Sequence, residues 1–191
     1  MSLERRAAMA TLVADRGDDL LVVPGLGSTT WDLAAAGDDP RNFYMWGAMG
    51  GTAMIGLGLA LAQPKRRVAV ITGDGDMLMG LGSLATIGAQ RPPNLAVIVF
   101  DNAVYSETGG QPSHTQKGAD LVGVARACGI PLCLDVRDEA ALAGLAGQLK
   151  ALRETLFARV AISAEEPPRV LPERDGVALK RRFRAAIGVK P

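Results

Sequence analysis

Short runs dense in valine, isoleucine and leucine recur along this chain of 191 residues, separated by longer segments rich in alanine and leucine. A strand covered on both faces has no solvent side to keep polar, so its text is continuously apolar, and such strands belong to parallel sheets flanked by helices. Parallel neighbours in turn need a crossover of roughly a dozen residues or more, usually a helix. The pattern therefore points to the α/β class, as a three-layer α/β/α fold with a mainly parallel sheet.

A first helix is expected over 3–15, stopping at Gly17, and then a strand over 20–23 that Pro24 and Gly25 end. Ser28 or Thr29 can cap a short helix running through Trp31 to Ala36. A short strand over 42–45 precedes the small-residue stretch Gly47 to Ala53, which feeds a helix closing near Gln63 and Pro64. The clearest strands lie at 68–72 and 95–100, with one helix, 77–90, between them. Beyond a polar loop, 101–118, come a helix (121–127), a strand (132–136), a helix (139–152) and a strand (157–162), giving six strands. Residues 1–163 read as one binding domain. Residues 164–191, which open on Glu165-Glu166-Pro167-Pro168 and carry the basic run Lys180 to Arg184, read as a C-terminal extension that packs on a partner subunit.

Composition removes several function classes. Lys plus Arg come to 21 and Asp plus Glu to 20, a net charge of +1, so the basic bias of a nucleic-acid binder is missing. The longest apolar run, Met54 to Ala62, is under half of the roughly 20 residues a membrane helix needs, and Met1 to Arg6 lead into no secretory core. A cytoplasmic protein is expected. Cys128 and Cys133 have neither CxxC nor metal-ligand spacing and read as core thiols.

The chemistry concentrates where strands end. The strand Val68 to Thr72 runs into Gly73-Asp74-Gly75 and then a helix, so Asp74 stands at a strand's carboxyl end, the edge where open α/β sheets bind ligands. The glycines leave room for a phosphate to approach the main chain, and Asp74 can serve a phosphate only by holding a hard cation against it. The next strand ends in Asp101-Asn102, and Asn102 lies 28 positions after Asp74, one helical crossover further on. The carboxylate and the amide can therefore meet at one ion.

With these residues the sequence resembles the diphosphate-binding domain of thiamine diphosphate enzymes, whose motif is Gly-Asp-Gly followed one crossover later by Asn. The resemblance implies that Asp74, Asn102 and the carbonyl of Val104 hold Mg2+ against the cofactor diphosphate, with Gly73 and Gly75 beside it. Trp46-Gly47-Ala48-Met49-Gly50 is similar to the family segment that grips the aminopyrimidine. There the Gly47 carbonyl takes the 4′-amino group, and Met49 wedges the cofactor into a bent form that makes its activating proton transfer intramolecular. Tyr105-Ser106-Glu107-Thr108-Gly109-Gly110-Gln111-Pro112-Ser113 resembles a loop of the phosphonopyruvate and sulfopyruvate decarboxylases. From it Thr108, Gln111 and Ser113 are candidate donors to an anionic substrate, Tyr105 adjoins the metal turn, and His114, the sole histidine, is a candidate proton donor. Asp76 departs from the pattern, since many relatives have Ser there; its carboxylate must turn away from a diphosphate, leaving the main-chain N–H to serve the anion.

The family also needs a glutamate against the pyrimidine ring, supplied by a separate pyrimidine-binding domain, and no glutamate of this chain suits that role. The resemblance thus implies a partner polypeptide, an assembly such as a homodimer or hetero-tetramer, and the smaller subunit of a non-oxidative 2-oxoacid decarboxylase acting on sulfopyruvate, phosphonopyruvate or a related acid. A carboligase of the acetolactate-synthase type and a non-catalytic cofactor-binding module are the rival expectations; nucleic acid and membrane are not expected partners.

Overall fold

A computed structural model of the chain describes residues 2–189, so Met1, at the start expected to lead into no secretory core, and Lys190 and Pro191 of the extension lie outside the described residues. Five parallel strands form the sheet: β1 (Leu20–Pro24), β2 (Arg67–Gly73), β3 (Leu95–Asp101), β6 (Leu132–Val136) and β7 (Leu156–Ala161), in the order β1-β2-β3-β7-β6. Two two-residue strands, β4 (Val104–Tyr105) and β5 (Gln111–Pro112), pair antiparallel in the polar loop around a 3-10 turn at Ser106–Thr108.

Alternate residues of the central strands go to opposite faces. Ala69, Ile71, Ala96 and Ile98 meet α1 (Arg5–Val13), α2 (Ser28–Ala35) and α7 (Glu139–Lys150), whereas Val68, Val70, Val97 and Val99 meet α3 (Thr52–Ala62), α4 (Asp74–Met79), α5 (Ser83–Gln90) and α6 (Leu121–Ala127). That double burial is why β3 is apolar from Leu95 through Phe100 and turns acidic only at Asp101, where it leaves the sheet. Among the described residues no helix is long and apolar enough to cross a membrane.

Three expectations need correction. The sheet has five parallel strands rather than six, because 42–45 contributes only a single bridge, Asn42 to Val22. Asn42 N–H turns back onto the Asp39 carbonyl, so the segment touches the edge of β1 through Arg41 and Phe43 and then departs. The helix expected over 77–90 is two helices with a break at Gly80–Gly82. A Cβ on Gly80 would lie 2.1 Å from the Gly50 carbonyl oxygen: the 46–51 loop crosses at the break and leaves no room for a side chain. The short helix after β1 spans Ser28–Ala35 with Gly27 as its cap, in place of Ser28 or Thr29.

The extension carries a helix of its own, α8 (Gly176–Ala186), capped by the Asp175 side chain. It lies on this domain: Leu179 and Phe183 are buried, the Phe183 ring sits 5.0 Å from that of Phe43, and Arg182 pairs with Asp38. Upstream of α8, Arg169 stacks over Trp31, and Trp46 donates to the Glu173 carbonyl.

Candidate functional site

All five long strands point the same way, so their carboxyl ends share one edge. Register puts Gly73 opposite Phe100 and Asp101 opposite Ala161. Asp74 and Asn102, each just past its strand, therefore emerge side by side. There they line a cavity of about 660 Å³ together with Met49, Gly73, Gly75, Asp76, Val104, Tyr105, Thr108 and His114. Three of the sequence-derived candidates, Gly47, Gln111 and Ser113, stand outside that lining: Gly47 is exposed, and Gln111 is exposed with its amide bonded to the Thr108 carbonyl at 2.9 Å. Ser113 is fully buried beneath the loop, its hydroxyl 2.8 Å from that of Thr115.

Asp74 is 2% exposed, and burial, aided by the charge of Asp101, pushes its carboxyl up to about 6, while the Ser113 hydroxyl pulls the other way. Among the described residues no cation pairs with it, and a buried carboxylate so placed suits a site where a cation arrives with the ligand. Asp76, two residues on, also borders the cavity. It accepts from the Thr72 hydroxyl and the Gly50 N–H, so its carboxylate ties the 46–51 loop to α4.

The turn after β3 is held by a buried polar network. Asp101 takes the Ala103 N–H at 2.9 Å, the Thr115 hydroxyl at 2.8 Å and the Arg159 Nε at 2.6 Å, and Arg159 reaches on to Asp135 at 3.0 Å. Thr115 also approaches Asp74, at 3.5 Å. Ala103 adopts left-handed backbone, φ 62°, which brings the Asn102 side chain and Val104 onto one side, and Asn102 Oδ1 accepts the Val104 N–H at 3.1 Å. Sequence reasoning missed Arg159, Thr115 and the part Asp101 plays. The available signal was a lone arginine inside the apolar strand Leu156–Ala161, which needs a carboxylate nearby.

Tyr105 and His114 pair across the loop, the phenol oxygen accepting the His114 backbone N–H at 3.2 Å and bonding the ring Nδ1. Tyr105 also covers Gly75, beside the Met49 methyl. Among the described residues no group of three or more His, Cys, Asp or Glu is placed to hold a metal. The donor set at the sheet edge is of another kind: one carboxylate and neutral amide and carbonyl oxygens, a partial shell of the sort Mg2+ completes with phosphate oxygens.

Comparison with known proteins agrees with this geometry. Residues 25–162 match the family described as thiamine pyrophosphate enzyme, C-terminal TPP binding domain. A phosphonopyruvate decarboxylase of Streptomyces viridochromogenes is 39% identical over 98% of this chain, and a sulfopyruvate decarboxylase subunit beta of Methanocaldococcus jannaschii is 43% identical over 62% of it. The matches take in 47% and 63% of those two proteins, so the chain spans about half of the first and under two thirds of the second. The benzoylformate decarboxylase structure from Polynucleobacter necessarius superposes with a TM-score of 0.73 at 20% identity, covering 88% of this chain and 34% of that one, a likeness of fold. The chain belongs to the thiamine pyrophosphate enzymes, in the family of their C-terminal TPP-binding domain.

Proposed function

We propose that this chain is the diphosphate-binding component of a cytoplasmic, thiamine diphosphate- and Mg2+-dependent decarboxylase of 2-oxoacids, with sulfopyruvate, phosphonopyruvate or a close analogue as substrate. The observation that carries the reading is the convergence of Asp74, Asn102 and Val104 at one sheet edge, on a cavity that Met49 also lines. When bound, the cofactor supplies the nucleophilic carbon and the electron sink that let a 2-oxoacid lose CO2. This chain's own residues hold and orient it. Asp74, Asn102 and the Val104 carbonyl hold the cation, Gly73 and Gly75 keep side chains off the diphosphate, and Met49 with Gly47 orients the ring at the rim.

His114 acts as the proton donor. The Tyr105 oxygen accepts the His114 main-chain N–H and shares a hydrogen bond with the ring Nδ1, which fixes the imidazole; in the tautomer in which the phenol donates to Nδ1, Nε2 carries the proton that is transferred. Thr108 lines the cavity and offers its hydroxyl to the acidic head group of the substrate, while Gln111 fixes Thr108 from outside.

The exposure of Gly47, Met49 and Trp46 supports a second domain closing over the rim and bringing the activating glutamate. Naming of one relative as a beta subunit supports a separate chain as the source of that domain, in a hetero-tetramer or larger assembly. Val170, Leu171 and Val177 stand exposed on the extension and offer that partner an apolar surface.

Two measurements test this. Mg2+-dependent binding of thiamine diphosphate is expected for the wild-type chain and is lost in Asp74→Ala and Asn102→Ala. With a pyrimidine-domain chain added, CO2 release is expected from sulfopyruvate or phosphonopyruvate; acetolactate from pyruvate in its place would assign the carboligase instead.

A further inference from the structure

Trp46 immediately precedes Gly47 and stands three residues before Met49, the two residues proposed to meet the aminopyrimidine, and its side chain is held by the C-terminal extension. The indole N–H donates to the Glu173 carbonyl at 3.1 Å across 127 positions of sequence, and the Arg174 guanidinium stands over the ring, 5.7 Å from its centroid. The accepting carbonyl is itself fixed. Glu173 folds its carboxylate back onto the N–H groups of Arg174 and Asp175, at 2.6 and 2.8 Å, and Asp175 in turn caps α8 by accepting from Val177 and Ala178.

The stretch from Arg169 to α8 is a strap tied at both ends. Upstream, the Pro168 carbonyl accepts from Arg6, and Arg169 lies over Trp31 at 4.2 Å. Downstream, α8 is seated by the buried Leu179 and Phe183 and by Arg182 on Asp38. Phe183 packs on Phe43, so α8 and the strap grip one segment of the domain at two points, Phe43 and Trp46, just before the chain enters the Gly47 turn. From within the domain that turn is held further along, where the Gly51 N–H meets the Ala48 carbonyl and the Gly50 N–H meets Asp76. The strap holds the end that these two bonds leave.

We propose that Trp46, Glu173 and Arg174 form a latch through which the extension positions the 46–49 turn for the ring end of the ligand of this cavity. They are positioning residues, acting through the Gly47 main chain and the Met49 side chain. The inference rests on the function proposed above for what the turn receives, and on the contacts alone for the latch. A shift of about 1 Å in such a turn is enough to misalign a bound ring. The diphosphate end is built on Asp74, Asn102 and Val104, at the far side of Met49 from the strap, so opening the latch must affect the two ends of the ligand unequally.

Two exposed substitutions open it without touching the core. Trp46→Phe keeps an aromatic ring and removes the donor; Glu173→Ala keeps the accepting carbonyl and removes the carboxylate that folds the strap around it. In the full chain each is expected to quicken hydrogen exchange over 47–50 severalfold, with exchange over 102–104 and the melting temperature as in wild type. The double variant is expected to match the singles, because one latch opens only once. In calorimetric titrations each variant is expected to weaken magnesium–thiamine diphosphate severalfold and to leave magnesium with inorganic diphosphate, which has no ring, at the wild-type affinity. Unmoved exchange over 47–50 in both variants, or effects that add in the double variant, overturn the latch. Quickened exchange with wild-type affinity for magnesium–thiamine diphosphate overturns its positioning role, and so does an equal weakening of inorganic diphosphate, which a general loosening of the site would produce. A wild-type chain that takes no magnesium–thiamine diphosphate overturns the cofactor reading, and the exchange rates then decide the latch by themselves.

Discussion

Two turns border the cavity, each centred on an alanine in left-handed backbone: Ala48 at φ 64°, between Gly47 and Met49, and Ala103 at φ 62°, between Asn102 and Val104. For a residue with a Cβ that conformation costs about 1–2 kcal/mol, so each turn must be held by something else. At Ala103 the holding is redundant and buried. The carbonyl accepts the Ser113 N–H at 2.8 Å, the N–H goes to Asp101, and Asp101 is anchored in turn by Arg159 and Thr115. At Ala48 the carbonyl accepts the Gly51 N–H, the Asp76 carboxylate takes the Gly50 N–H, and residues 46–49 stand exposed. The chain therefore pins the Ala103 turn, where we propose that metal and diphosphate bind, within its own core, and leaves the Ala48 turn, proposed to meet the aminopyrimidine, exposed.

The sharpest way to break that contrast is to remove the anchor of the buried turn. Arg159→Met leaves Asp101 buried without its cation, a loss expected to cost about 3–5 kcal/mol. It should lower the melting temperature and weaken Mg2+-dependent cofactor binding together. A variant that melts like wild type and binds as tightly would show that the Ala103 turn needs no buried ion pair.

Next in size is the effect of Asp74. Its carboxyl is pushed from 3.8 to about 6 in the folded chain, so between those values the folded state holds a proton that the unfolded state has released. Stability of the ligand-free chain then falls as pH rises from about 4 to about 6 and levels off above, a contribution of roughly 3 kcal/mol from the size of the shift. Asp74→Asn removes this dependence. Relative to wild type it should be more stable at pH 7, nearly matched at pH 4, and insensitive to Mg2+ with thiamine diphosphate. Thermal melts of both proteins at the two pH values decide it, and equal melting at pH 7 would remove the case for a destabilised, cation-seeking carboxylate.

The contrast also explains what could be read from the text of the chain. Strands β2 and β3 were legible because burial on both faces leaves continuous apolar runs, and the meeting of Asp74 with Asn102 followed from one crossover between parallel neighbours. Features that depend on what lies across space were not. Nothing local to Gly80 says that the Gly50 carbonyl passes over it, so the helix pair read as one helix. Residues 42–45 read as a strand, yet the turn of Asn42 onto Asp39 cuts the pairing to one bridge. Helix α8 was hidden because its apolar positions, Leu179 and Phe183, sit among charged neighbours. The Arg5–Asp32 and Asp101–Arg159 pairs join residues 27 and 58 positions apart, a separation no periodicity reports.

The smallest expected effect separates the two turns most cleanly. Glycine at position 48 or 103 relieves the left-handed strain of about 1–2 kcal/mol but adds back an entropic cost of about 0.5–1 kcal/mol, so neither substitution should move global stability by much more than about 1 kcal/mol. The difference should appear in local opening. At Ala103→Gly the main chain remains pinned through Asp101 and Ser113, and hydrogen exchange over 102–104 should stay at the wild-type rate. At Ala48→Gly the main chain of the turn is held through Gly51 and Asp76, with only the exposed Trp46–Glu173 bond beside them, so the new freedom is not suppressed and exchange over 47–50 should quicken severalfold. Equal protection in the two variants would mean that the exposed turn is as firmly built as the buried one, and the division of the site into a finished and an unfinished edge would have to be given up.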